Sequence, residues 1–290
     1  MKSIYVHLSP DKFTFSKELK FSHFTCSGIP EYANYSFEQT EHYLKEQPIV
    51  LTNSDIDREY TSEINEFFLL CKKGFPSFSD DPFWLTTLLR LYVVYLYVQK
   101  HNIQEFIHLE YDNLIFSDLK ELKQLPKSVY FTRVGPFQSS AGFVFCNSIE
   151  HFEKFINKLK QLLEKGESFV QRFTQYDQLS EMILIDLIHT HTKDVMDYLP
   201  ILPDGVGCDN FDKLRVLFDG ASYGQYLGGT NKQDNKGWFG MHHYIGREIN
   251  NKTIQVVFED KPYVITHNKK IPLTNLHVHS KKLEQYIIKK

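Results

Sequence analysis

Short apolar runs alternate with longer amphipathic stretches through the first 120 residues, and few architectures accept that rhythm. "SIYVHL" (3–8) reads as a strand. "SFEQTEHYLKEQ" (Ser36 to Gln47) reads as a helix, because Ser36 with Gln39 three residues on is a capping-box signature. "PIVLTNSD" is a short strand again, and "SEINEFFLLCKK" an amphipathic helix. "FWLTTLLRLYVVYLYV" (Phe83 to Val98) is a longer helix opened by Asp81-Pro82. "EFIHLEYD" closes the series as a strand. Alternation of this kind specifies an α/β fold with a mostly parallel central sheet flanked by helices.

The second half is less regular. "SVYFTR" and "AGFVFCN" read as strands, "SIEHFEKFINKLKQLLEKG" and "SFVQRFTQYDQLSEMILIDLIH" as helices, and "TIQVVF" with "PYVITH" as a hairpin joined by Glu259-Asp260-Lys261. No clean linker or repeat divides the chain, so one domain over residues 1–290 is expected, with a smaller mixed second half. The 42% hydrophobic and 24% charged residues exclude a disordered or fibrous chain. A formal net charge of −3 leaves no basic footprint, so nucleic acid is not an expected partner. Cys26, Cys71, Cys146 and Cys208 lie far apart with no CxxC pair, which suits a reducing compartment. "MKSIYVHLSPDKF" has no apolar h-region, and Phe83–Val98 is shorter than a spanning helix and carries Arg90 midway. The expectation is a cytoplasmic protein without a transmembrane segment.

Chemistry concentrates at two places. Glu110-Tyr111-Asp112 ends the apolar strand, and in sheets of this class ligands bind beyond the carboxyl ends of strands. Residues i and i+2 of an extended segment point the same way, so both carboxylates can face one hard cation such as Mg²⁺, Mn²⁺ or Ca²⁺; a solvated strand end is the plainer alternative. His277-Val278-His279 also places two imidazoles on one face if extended, with Lys281 and Lys282 following. A pair of surface histidines is its plainer reading. His189 and His191 repeat the spacing, but on a helix i and i+2 diverge, so no shared cation is expected there.

"RLYVVYLYVQKHNIQEFIHLEYDNLIFSDLKEL" resembles the GT-A type nucleotide-sugar glycosyltransferases, in which a helix bearing a basic residue leads into an apolar strand ending in a DxD motif. Here Glu110 stands at the first acidic position. The resemblance implies that Asp112 ligates a divalent cation holding the donor diphosphate, with Glu110 at the ribose or at the cation's water. "LHVHSKK" resembles the C-terminal histidine–lysine element of the same class, which makes His277 or His279 a further ligand and Lys281 a phosphate contact. An imidazole ligand favours Mn²⁺ over Mg²⁺. The resemblance casts residues 1–122 as the nucleotide-sugar half and 123–290 as the acceptor side. "AGFVFCNS" is similar to the strand lining the sugar pocket, with Gly142 allowing close approach. "TQYDQLSEMILIDLI" is similar to a helix opening near the acceptor, pointing to Asp177 or Glu181. "FDGASYGQYLGG" offers Asp219, Tyr223 and Gln225 in a glycine-rich setting. Asp177 and Asp219 are the candidate bases, and Arg90 either reaches the donor or neutralises a carboxylate.

The implied activity is transfer of a sugar from a nucleoside-diphosphate sugar, by default a uridine diphosphate sugar, to a hydroxyl on a glycan, glycoconjugate or protein. Two other readings stand beside it. One is a metal-dependent hydrolase using His277 and His279 with an acidic partner; the other is a non-catalytic carbohydrate-binding protein of the same fold.

Overall fold

The computed structural model describes residues 1–8, 28–53, 55, 59–79, 82–192, 194–230, 243–266 and 269–287. The strands of its first two hundred residues are β1 (Lys2–His7), β2 (Ile49–Thr52), β3 (Phe106–Leu109), β4 (Asn113–Ile115), β5 (Val129–Gly135), β6 (Gln138–Cys146) and β7 (Asp197–Leu199). All but β4 join one sheet in the order β2-β1-β3-β6-β5-β7. β1 pairs parallel with β2 and β3, and β5 pairs parallel with β7. β6 runs against both of its neighbours. The chain therefore has the α/β class with a mostly parallel sheet that its alternation specifies.

Helices α1 (Ala33–Leu44), α2 (Thr61–Gly74), α3 (Pro82–Lys100), α4 (Ile149–Lys165) and α5 (Glu181–His191) cover the sheet. One face packs Leu88, Val93, Phe152, Leu159 and Leu184 with Phe106. The other packs Tyr5, Ile107, Leu109, Phe143 and Phe145. β3 is buried on both faces, which is why it reads as an apolar run broken only by His108. Burying each large aliphatic chain of α3 contributes roughly 1.5–3 kcal/mol. No helix among the described residues is long and apolar enough to cross a membrane. α4 follows its sequence signals: the Ser148 hydroxyl accepts the N–H of His151 at 3.4 Å, and Gly166 ends the helix at φ 82°.

Two expected helices start elsewhere. α1 begins at Ala33, not at a Ser36 cap, and Ser36 and Gln39 lie buried inside it. Ser36 donates to the carbonyl of Asn113 at 2.6 Å, and Gln39 donates to that of Ile115 at 2.6 Å. The pair thus caps the open edge of β4 rather than the helix. The helix expected from Ser168 breaks into short turns and resumes only at Glu181. Local bonds take the place of helix there: Thr174 accepts from Tyr176 N at 3.1 Å, and Gln171 donates to Tyr176 O at 2.7 Å. Asp81, Cys26, Lys193 and residues 231–240 of the glycine-rich segment lie outside the described residues.

The later chain forms helices α6 (Ser222–Gly228) and α7 (Tyr244–Asn250) and strands β8 (Gln255–Phe258), β9 (Pro262–Thr266), β10 (Lys269–Pro272) and β11 (Asn275–His277). β8 and β9 form the expected hairpin, with β10 beside β9. β11 leaves that sheet and pairs antiparallel with β4, setting His277 opposite Asn113. This pairing carries the C-terminal segment to the carboxyl end of β3.

Candidate metal centre at the end of the third strand

β3 ends at Leu109 and the chain turns at once, with Asn113 N–H donating to Glu110 O at 3.0 Å. Glu110, Tyr111 and Asp112 therefore sit in a tight turn, not in the extended segment that their spacing suggests. Both carboxylates still converge on one atom. His277 Nε2 lies 3.1 Å from Glu110 Oε2 and 3.3 Å from Asp112 Oδ2. Tyr111 turns away and stacks on Tyr5 at 6.0 Å, edge-on to Phe37.

Several buried groups fix this convergence. Val278 N–H donates to Asp112 O at 2.7 Å. Asn275 donates to Asn113 Oδ1 at 2.6 Å, Asn113 donates to Gly142 O at 2.9 Å, and Asp219 N–H donates to Asn275 Oδ1 at 2.9 Å. Sequence reasoning missed both asparagines. Their signal was a polar residue inside an apolar run, which a buried strand tolerates only with partners. Gly142 lies under the His277 ring, where a Cβ would stand 2.8 Å from Cε1 and 2.9 Å from Nδ1. On the Cβ side of Gly142 the space is taken by the imidazole.

Asp219 also differs from expectation. It is buried, and its two oxygens accept from the N–H groups of Ala221 (3.0 Å), Tyr223 (3.0 Å), Gly224 (2.8 Å) and His277 (2.9 Å). Burial pushes its pKa up and His277 and these donors pull against that. With every acceptor position filled, it positions β11 and α6 and has no lone pair left for a substrate proton. Tyr223 is likewise committed, donating to Ile201 O at 2.7 Å, while Gln225 is buried with Oε1 unpartnered among the described residues.

The counter-charges come from both ends of the chain. Arg90 on α3 pairs with Glu110, and Lys281 pairs with Asp112. Arg90 is thereby paired with a carboxylate inside the fold. Burial would raise both acids, but Arg90 and then His277 hold Glu110 low, and Lys281 and then His277 hold Asp112 low. Burial pulls His277 down, yet Asp112 and Glu110 outweigh it and hold the ring at about 10. His279 stacks on His277 at 4.2 Å, and burial and that neighbour depress it to about 3.

Asp177 is exposed, ahead of α5, and among the described residues it makes none of the bonds of this cluster. Glu181, the first residue of α5, is buried instead. Burial and then the Glu110 charge raise its pKa to about 7, and its Oε2 has no hydrogen-bond partner among the described residues. On the last turn of α5, His189 packs on Tyr198 and His191 on Phe173, so that His-x-His pair diverges as expected.

Asp112, His277 and His279 each offer one ligand atom, and these atoms all lie within 4.8 Å of one another. His279 Nε2 is buried and has no hydrogen-bond partner among the described residues. An orphaned buried nitrogen beside a carboxylate and a second imidazole is the donor chemistry of a divalent transition-metal site, so these residues fit a cation.

No protein-family model matches the chain, and no curated protein matches it. Among solved structures it is similar to mouse xyloside xylosyltransferase 1 in its apo form, at 12% identity, with a TM-score of 0.37. That match covers 69% of this chain and 84% of the other. A likeness this loose carries no information about activity.

Proposed function

We propose that the chain is a divalent-metal-dependent glycosyltransferase that moves a sugar from a nucleoside-diphosphate sugar to a hydroxyl acceptor. The observation that carries this reading is the meeting of Asp112, His277, His279 and Lys281, drawn from stretches about 165 residues apart, at the carboxyl end of a parallel strand. The β3–β6 and β4–β11 pairings tie its two halves together, and the reading takes residues 1–290 as one unit.

In this reading Asp112, His277 and His279 would hold the cation, which takes the place of the His277 proton, and the two imidazoles favour Mn²⁺ over Mg²⁺. The bound cation offsets charge on the departing nucleoside diphosphate. Lys281 stands beside Asp112 and donates to a diphosphate oxygen. Arg90 keeps Glu110 ionised and fixes its direction. Gly142 and Asp219 hold the His277 ring and backbone in place. Glu181 takes the part expected of Asp177: a carboxylate with a pKa near neutrality, buried, can receive the acceptor hydroxyl's proton on Oε2.

Replacing Asp112 by Asn is expected to lower Mn²⁺-dependent turnover of uridine diphosphate sugars at least a hundredfold, with an unchanged circular dichroism spectrum. Undiminished turnover in that variant rules the reading out. Phosphoester hydrolysis without nucleotide-sugar binding would transfer the same residues to a hydrolase.

A further inference from the structure

α4 and α5 end side by side, and a cleft of about 190 Å³ opens between their last turns. Lys158, Lys165 and His191 line it together with Leu162, Ile188 and Phe169, and no carboxylate does so among the described residues. In a chain of formal net charge −3 that is a local reversal of sign. Among the described residues neither Lys158 nor Lys165 is paired with a carboxylate, and Lys165 is seated on an aromatic ring. Lys165 Nζ lies 4.6 Å and Arg172 Cζ 4.8 Å from the centroid of the Phe169 ring, and Phe173 meets His191 edge-on at 5.0 Å. Lys154, one turn before Lys158, is by contrast paired with Glu150 at 2.7 Å.

Helix C-termini ordinarily repel anions. Here two carbonyls of lining residues are already engaged. Leu162 O accepts from Gly166 N at 3.1 Å, and Ile188 O accepts from Thr192 N at 2.9 Å and from its hydroxyl at 2.6 Å. The cleft is smaller than the roughly 300 Å³ at which ordinary ligand pockets begin, so it suits a headgroup-sized molecule and not a nucleotide.

We propose that this cleft binds the phosphate group of a small phosphate ester, with the carbon skeleton against Leu162, Ile188 and Phe169. Lys158 and Lys165 balance the dianion, and His191 donates from the rim. The site is separate from the metal cluster: Glu181 begins α5 and His191 ends it, roughly 15 Å apart along the axis. The proposal does not depend on the glycosyltransferase reading, because its probes need neither metal nor nucleotide sugar.

The test is an NMR titration of the full chain with inorganic phosphate and with glycerol 3-phosphate, at ionic strength held constant with chloride. Saturable shifts are expected in the amides of residues 158–169 and 187–192. The double variant Lys158→Glu, Lys165→Glu should weaken the apparent affinity at least tenfold. If that variant is unfolded by circular dichroism, Lys158→Gln with Lys165→Gln takes its place. Cosedimentation with phosphatidylglycerol vesicles, lost in the variant, assigns the ester to a lipid headgroup; glycerol 3-phosphate binding without cosedimentation assigns a soluble ester. No saturable shift and no cosedimentation, or equal affinity in wild type and variant, overturns the proposal.

Discussion

Two carboxylates and an imidazole share one buried point in this chain, and each is tolerable there only because of the others. A buried ion without a partner costs several kcal/mol, so Arg90, Lys281 and the His277 proton are what make Glu110 and Asp112 affordable in a folded state. The ring that carries that proton rests on Gly142. Gly142→Ala is expected to push the ring aside, weaken Mn²⁺ binding at least tenfold by titration calorimetry, and cost about 1–3 kcal/mol in urea unfolding. A variant with unchanged metal affinity would show that the ring can shift and still bind. Elsewhere at this scale, His108 lies buried in β3 with Nδ1 3.0 Å from Ile4 O, and burial and then Arg90 depress its pKa from 6.5 to about 4. Between those values the unfolded chain binds a proton that the folded chain refuses, so this stability is complete above pH 6.5 and is lost as pH falls towards 4. The loss approaches about 3 kcal/mol. Glu181, raised to about 7, acts in the opposite sense between pH 4.5 and 7, so the effect is read as a difference. Chemical denaturation of wild type and His108→Leu at pH 7.5 and pH 4.5 should show a smaller acid loss in the variant. Equal losses would contradict the assignment.

Elements are where the sequence was most legible and also where it misled. Alternating runs revealed the parallel sheet because β3 and β1 are buried on both faces and cannot carry polar residues freely. The Ser36 and Gln39 spacing predicts a helix cap because a capping box and a tertiary pair of donors look alike in one dimension. What separates them is the open edge of β4, and only the fold supplies that edge. Gln39→Leu strips Ile115 O of its partner and is expected to cost about 1–3 kcal/mol, measured by urea unfolding. A cost below 0.5 kcal/mol would mean that water satisfies the carbonyl. Asp177 and Glu181 both fall in the stretch expected to be helical; local bonds around Tyr176 keep the chain out of the helix until Glu181, which is buried while Asp177 is exposed.

At the scale of the whole molecule, the decisive event is the return of β11 to β4. The paired spacings of Glu110 with Asp112 and of His277 with His279 were legible as chemistry, but each had a plainer reading on its own. Their union was not legible, because no local rule states that a C-terminal strand will leave its own sheet. Asn113, Asn275 and Asp219 bring it about, and none of them carries a spacing signature. The central claim is that this return builds a cation site, and electron paramagnetic resonance of added Mn²⁺ tests it most directly. The wild-type chain should bind one tight Mn²⁺, while Asp112→Asn and His277→Ala, folded by circular dichroism, should leave the free hexa-aquo signal undiminished. Equal Mn²⁺ uptake by wild type and both variants would contradict the account.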